Sequence, residues 1–197
     1  MTPLDATQAP RALTPARSTA CCLVLAGVAW LQASSPAAAA VDLAQYSDFG
    51  MADVLLTAAT IRQSGNDHRA MIDQTAYTGA TGNIAQIEQT GAMHVAFVTQ
   101  VGDLNRARVV QSDSGNEAHV SQTGIGNSID IWQSGTGNWL SAQQVGNGNV
   151  ANIVQPGDSR ISFSQIGNNN TVNLLQPSTA VPMFIAITGN GMTVTQR

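Results

Sequence analysis

The sequence contains no lysine, and its two cysteines, Cys21 and Cys22, are adjacent near the start. Charged residues make up 10% of the chain and aromatic residues 5%, and the net charge is −4. This scarcity of positive charge argues against a nucleic-acid partner, which binds to a basic surface. Because cysteine is absent beyond residue 22, intramolecular disulfides cannot cross-link the rest of the chain, and hydrogen bonds and packing must stabilise it.

Residues 1–40 have the pattern of a secretory signal peptide. Arg11 and Arg17 precede an apolar run at 20–33 (ACCLVLAGVAWLQA), which is too short to span a membrane as a permanent helix. Four alanines at 37–40 supply the small residues that a signal peptidase requires, so we expect cleavage after Ala40. Export of the chain is therefore predicted, with residues 41–58 forming the N-terminal segment of the mature protein.

Beyond this segment, glutamine recurs mostly at intervals of 11 residues. One longer interval contains an insertion around 75–78, and another contains an irregular segment at 177–184 with Pro177 and Pro182. Repetition at a fixed period indicates a stacked repeat architecture, here covering residues 59–197. The recurring residues are Gln63, Gln74, Gln89, Gln100, Gln111, Gln122, Gln133, Gln144, Gln155, Gln165, Gln176 and Gln196.

Each repeat unit combines an alternating segment with a glycine-rich one. The residues two and four before each glutamine are apolar, as Ala151 and Ile153 are before Gln155, whereas the intervening positions carry polar residues such as Arg106 and Arg108. This period of two predicts a β-strand with one buried face. Between strands the pattern Q-x-G-x-G-N predicts tight turns that need positive φ angles. The predicted turn glycines are Gly91, Gly102, Gly124, Gly126, Gly135, Gly137, Gly146, Gly148 and Gly167.

The units predict an all-β fold, an amyloid-like β-solenoid in which two 11-residue units form one coil and two parallel sheets face each other. Twelve strands would give six coils, with exposed strand edges at both ends. The amides lie on the inward side of each strand end, and since a carboxamide both donates and accepts, stacked amides can satisfy one another. The predicted ladder contains the glutamines above with Asn83, Asn105, Asn116, Asn127, Asn138, Asn149, Asn170 and Asn190.

Other candidate sites are weak. His68 and His94 stand where other units have asparagine, and His119 falls on the outer face, so no zinc site or cofactor is expected. The acids are scattered and no catalytic triad stands out, which argues against an enzyme. The glycine segments lack the Gly-Lys-Ser/Thr of a phosphate loop. Trp132 and Trp139 fall on the outward parity, which predicts surface aromatics.

The units QVGNGNVANIVQ (144–155) and QSDSGNEAHVSQ (111–122) resemble the curlin repeat. Curlins are secreted subunits of curli, the functional amyloid fibres of bacterial biofilms, and the resemblance covers residues 59–197. It implies an extracellular location in a cell-surface fibre. It also implies three kinds of partner: other copies of the chain, a homologous major curlin subunit, and the outer-membrane secretion and assembly factors of the curli system.

Within this family the chain looks more like the minor subunit, which nucleates fibres at the cell surface. The similarity lies in MTVTQR (192–197), IDQTAYTG (72–79) and VDLAQYSDFGMADVLL (41–56). The alternative within the family is the major subunit, which forms the bulk of the fibre. A different class is a monomeric β-solenoid that binds ice or carbohydrate, but such proteins need a flat, regular outer face, and here the outward residues change from coil to coil. A solenoid polysaccharide lyase or hydrolase would need longer coils and clustered acids.

Overall fold

The computed structural model describes residues 21–25, 28–33, 39–44, 57–77, 82–177 and 181–197. Within these ranges there is no helix that could span a membrane. The strands are β1 (Cys21–Leu25), β2 (Val28–Ala33), β3 (Ala39–Ala44), β4 (Ala58–Asn66), β5 (His68–Thr75), β6 (Ile84–Ala92), β7 (Val95–Asp103), β8 (Arg106–Ser114), β9 (Glu117–Ile125), β10 (Ser128–Gln133), β11 (Trp139–Val145), β12 (Val150–Gln155), β13 (Arg160–Ile166), β14 (Thr171–Leu175), β15 (Met183–Thr188) and β16 (Thr193–Gln196).

From β4 onward, successive strands alternate between two sheets. Sheet A has the order β1-β2-β5-β7-β9-β11-β13-β15, and sheet B has the order β16-β14-β12-β10-β8-β6-β4-β3. Among β4 to β16, neighbours along each sheet are parallel, and equivalent residues of adjacent coils are opposite each other, as Gln111 is opposite Gln133 and Gln122 is opposite Gln144. The predicted all-β solenoid with two facing parallel sheets and about six coils is therefore confirmed.

The core lies between the two sheets and consists of the alternating apolar residues. Ile87, Val109 and Ile131 stack in sheet B, and each is 0% exposed. In sheet A, alanines such as Ala96 and Ala118 take inward positions, also at 0% exposure. Burial of a large aliphatic side chain contributes roughly 1.5–3 kcal/mol, whereas alanine contributes little, so this thin core leaves an important share of the stability to hydrogen bonds.

The last coil differs from the prediction, which placed one unit at 185–196. The structure has two strands here, with β15 opposite β13 and β16 opposite β14. The register of β16 is shifted by two residues, since Val194 is opposite Val172 and Gln196 is opposite Leu174. The turn sets this register: Gly189 donates to Ile166, and Gly191 donates to Asn168, through backbone hydrogen bonds. Residues 178–180 of the predicted irregular segment lie outside the described residues.

The first coil also differs, because the expected open edge is covered in the full chain. β2 pairs antiparallel with β5, and β3 pairs antiparallel with β4. No alternation or turn pattern at 21–44 predicts these strands, which include much of the predicted leader. Of the predicted mature segment 41–58, residues 45–56 lie outside the described residues.

Candidate functional site: the amide columns

Two columns of buried glutamines run along the solenoid. In each column, Nε2 of one glutamine donates to Oε1 of the glutamine in the next coil at 2.7–2.9 Å. The same Nε2 usually donates to a backbone carbonyl of the facing sheet, as Gln122 does to Arg106 at 3.1 Å. Each amide thus links neighbouring coils and both sheets. Column A contains Gln74, Gln100, Gln122, Gln144 and Gln165, and column B contains Gln63, Gln89, Gln111, Gln133 and Gln155.

Two further columns occupy the turns. In column C, Oδ1 of each asparagine accepts from both the backbone N and the Nδ2 of the next asparagine at 3.0–3.2 Å. Its Nδ2 also donates to a turn glycine carbonyl, as Asn127 does to Gly146 at 2.7 Å. The same asparagine side chain therefore stabilises both the conformation of the turn and the stacking of neighbouring coils. Column C contains Asn83, Asn105, Asn127, Asn149 and Asn170, and column D contains His68, His94, Asn116, Asn138 and Ser159.

Three predicted ladder members lie outside these columns. Gln176 is buried, but its Nε2 donates to the carbonyl of Val181, and Gln155 instead donates to Ser159. Asn190 is exposed and accepts from Asn168 on the outside of the turn. Gln196 is exposed because the shifted register of β16 places it opposite Leu174. Gln176 therefore takes a buried position but lacks the ladder hydrogen bond, whereas Asn190 and Gln196 are exposed instead of inward.

An outer column of turn asparagines was not predicted from the sequence. Asn147 accepts from the backbone of Ile125, Asn168 accepts from Asn147, and Asn190 accepts from Asn168, at 2.8–2.9 Å. The signal was present as the repeated N-x-N at 147–149 and 168–170. The predicted ladder used only one asparagine of each turn, so the second asparagine was not assigned a role.

The turn glycines permit a close approach between coils. All nine predicted turn glycines have positive φ. At Gly124, with φ of 124°, an added Cβ would lie 1.9 Å from the carbonyl oxygen of Gly146 in the next coil. At Gly126, with φ of 67°, an added Cβ would meet no atom within 4 Å. The first kind of glycine therefore allows stacking itself, whereas the second only shapes the turn.

The two histidines of column D form a buried stack. Their rings are 5.1 Å apart at an interplanar angle of 3°. Nδ1 of His94 accepts from the backbone N of Asn116, and its Nε2 lies 3.1 Å from the carbonyl of Thr90, which places the proton on Nε2 of a neutral ring. Burial lowers the pKa of His94 from 6.5; the hydrogen bond to Thr90 and the charge of Asp113 oppose this, and the charge of His68 adds to it.

This shift predicts that acid destabilises the first coils. The folded-state pKa of His94 is below its unfolded value, so the unfolded chain binds the proton more strongly. The free energy of unfolding should therefore fall as the pH drops below about 6.5. Replacing His94 by asparagine, which stands in this column in the next coils, should flatten that dependence in urea titrations at pH 5–7. His119→Asn, on the outer face, is the control that should retain it; a wild-type chain with constant stability over this range would refute the assignment.

The outer faces show no comparable regularity. Glu88 bridges Arg62 and Arg108 at 3.1 and 3.3 Å, and the guanidinium of Arg108 lies 4.5 Å from the ring centre of Trp132. These side chains are exposed or half-buried, and such surface pairs contribute little to stability. In the part of the chain that the structure describes, no group of three histidine, cysteine or acidic residues is placed to hold a metal ion.

The fold and the columns define a class of protein: a β-solenoid whose coils are joined by stacked buried amides. Residues 95–124 match the family model of the curlin associated repeat, a segment that extends from β7 into β9. No curated protein and no solved structure matches the chain. The family match supports a relationship to the curlins, and the same columns continue through the coils on both sides of it.

Proposed function

We propose that the chain is a secreted structural subunit of curli amyloid fibres, and that it acts as the minor subunit that nucleates polymerisation of a homologous major subunit at the cell surface. The observation that carries this proposal is the glutamine ladder, in which Nε2 of one glutamine donates to Oε1 of the glutamine in the next coil at 2.7–2.9 Å in eight successive bonds. Such a bond is the same whether the next coil belongs to the same chain or to another.

Strand edges provide the route from coil stacking to fibre formation. A strand at the end of a stack has unpaired N–H and C=O groups that recruit a strand from another chain. Each coil of this chain adds one layer of about 4.8 Å, the spacing of strands along an amyloid fibre. A subunit with regular coils could therefore act as a template on which the first coil of another subunit folds.

The nucleator role is favoured over that of the bulk subunit by the last coil, which departs from the repeat. Ile187 is opposite Gln165, and Met192 follows Asn170 in the stack. A chain that forms the whole fibre would need equivalent coils at both ends. A monomeric ligand-binding solenoid receives less support, because the outer residues of adjacent coils differ in size and charge.

A seeding experiment tests the proposed function. The chain from residue 41 onward, added at low molar ratio, should shorten the lag phase of a homologous curlin subunit with regular terminal coils. The same chain carrying Gly124→Ala should seed poorly, since its coils cannot stack closely. If the chain forms fibres alone but leaves the lag phase unchanged, it is a bulk subunit. If it neither forms fibres nor seeds them at any concentration, the proposal of a fibre subunit fails.

A further inference from the structure

We infer that stacking on this chain is one-sided: its N-terminal coil edge accepts a coil of a homologous repeat chain, while the coil of β15 and β16 ends the amide columns and does not support a second copy of this chain. The inference rests on the proposed function and specifies the partner and the end at which it binds.

The glutamine columns have a direction. In both columns Nε2 points toward the coil that follows in sequence, and Oε1 points toward the coil that precedes. A coil that adds before β4 must therefore offer a free Nε2. A coil that adds after β16 would instead need an Nε2 donor from this chain.

The N-terminal edge has an unpaired acceptor, Oε1 of Gln63, that such a donor would satisfy. Gln63 is 2% exposed, and its Oε1 has no hydrogen-bond partner among the described residues. β3 covers this edge, but it runs antiparallel to β4. The residue it places opposite Gln63 is Ala39, a residue type without a side-chain amide. An unpaired buried acceptor is unfavourable, so a parallel coil with glutamine at this position would be a better partner than β3.

The predicted leader cleavage after Ala40 would open this edge. Cleavage there would remove β2, which pairs with β5. It would also remove Ala39 and Ala40, which pair with Gln63 and Arg62 of β4. Gln63, the column B residue of β4, would then be uncovered, while Ala58–Ile61 would remain paired with residues 41–44.

The coil of β15 and β16 interrupts the columns. In column A, Ile187 stands opposite Gln165 and has no amide to donate onward. In column C, the backbone N of Met192 donates to Asn170 at 2.9 Å, but the thioether of Met192 cannot replace the amide oxygen that the next coil would need. The side chains of this coil therefore do not continue columns A and C into a following coil.

A second copy is therefore a poor partner, because it would bring the coil of β15 and β16 to the edge at Gln63. The fitting partner is a homologous chain whose last coil has glutamine at the ladder position. A fibre begun by this chain should consequently carry it at one tip, with the coil of β15 and β16 pointing away from the growing fibre.

Restoring the missing amides tests this inference. The buried core of the described residues begins at Ile61, so the chain from residue 41 retains all of it and is suitable for the experiment. In that chain, the double variant Ile187→Gln/Met192→Asn should elongate its own fibre fragments at least about tenfold faster than wild type, as expected from one hydrogen bond at the growing end. Ile187→Leu/Met192→Leu is the matched control and should behave as wild type. Because strands alternate between the two sheets, the strand that follows β16 stacks on β15, and a second copy would place its β4 there with Gln63 next to residue 187. Gln63→Leu, added to the double variant, should therefore remove the gain.

Electron microscopy provides a second measurement that needs no substitution. A gold label on a C-terminal tag of the wild-type seed should appear at one tip of fibres grown from the homologous subunit. Labels along the fibre, or wild-type self-elongation as fast as that of the double variant, would overturn the inference while leaving the proposed function intact if seeding persists. Loss of seeding together with the absence of fibres would refute the proposed function itself.

Discussion

Replacing Gly124 by alanine should destabilise the solenoid by more than about 3 kcal/mol, the combined effect of backbone strain and overpacking. The added Cβ would lie 1.9 Å from the carbonyl oxygen of Gly146, and its φ of 124° is one that alanine rarely adopts. The two nearest atoms both belong to the backbone of Gly146, so rotation of a side chain cannot relieve the clash. The coils would have to separate locally, which would break the glutamine and asparagine hydrogen bonds on either side. Urea unfolding of the chain from residue 41 measures the loss.

Gly126→Ala is the matched control for this prediction. Gly126 lies in the same turn with a φ of 67°, and an added Cβ has nothing within 4 Å. The cost should be limited to that of a left-handed conformation, about 1–2 kcal/mol. If the two variants were equally stable, close backbone approach between coils would not be what requires glycine at residue 124.

Removing one glutamine from a column should destabilise the chain by roughly 1–3 kcal/mol for the polar groups left unpaired. Gln133 accepts from Gln111 at 2.8 Å, and donates to Gln155 at 2.9 Å and to the carbonyl of Glu117 at 3.0 Å. Gln133→Ala would leave Gln155 Oε1 and the Glu117 carbonyl without this donor inside the core. The free energy of unfolding and the rate of fibre assembly should both fall.

Ser141→Ala is the comparison on the outer face. Ser141 lies on β11 at a position whose side chain points away from the core, and surface substitutions of this kind usually change stability by less than about 0.5 kcal/mol. Equal losses from the two variants would mean that the inward amides have no special role. The contrast therefore tests the assignment of the inner and outer faces directly.

The regular coils could be predicted because two periods agree throughout them. The 11-residue spacing of glutamine and the two-residue alternation of apolar residues fix which side chains point inward, and a shift by one residue would expose the core. Even the placement of His68 and His94 in an asparagine column followed from this spacing. Where both periods hold, from Gln89 to Gln155, the structure agrees residue by residue.

The prediction failed where the two periods conflict. In the last coil, the glutamine spacing aligned Gln196 with Gln176, but the turn glycines and the apolar pairing of Val194 with Val172 set a register two residues away. The unit that begins at Gln155 is one residue shorter than the 11-residue repeat, and Ser159 stands in it where other units have asparagine. Nε2 of Gln155 donates to Ser159 and therefore does not donate to Gln176. The strands at 21–44 could not be predicted because they carry no repeat and pair antiparallel with the first coil.

The direction of the amide bonds adds a property that composition cannot show. A glutamine at a given position is compatible with either direction, but in this chain every glutamine-to-glutamine hydrogen bond of columns A and B runs the same way. A stack with a uniform direction has two different ends, so the identity of the residues in the terminal coils decides what each end can bind.

Diffraction from aligned fibres is the most direct test of the central claim, that the solenoid axis is the fibre axis. Fibres of the Ile187→Gln/Met192→Asn variant, whose copies should stack on one another, should give a meridional reflection at about 4.8 Å, because the strands lie perpendicular to the stacking direction. Circular dichroism of the same sample should show β-structure. A 4.8 Å reflection on the equator, or a helical spectrum under assembly conditions, would contradict the account.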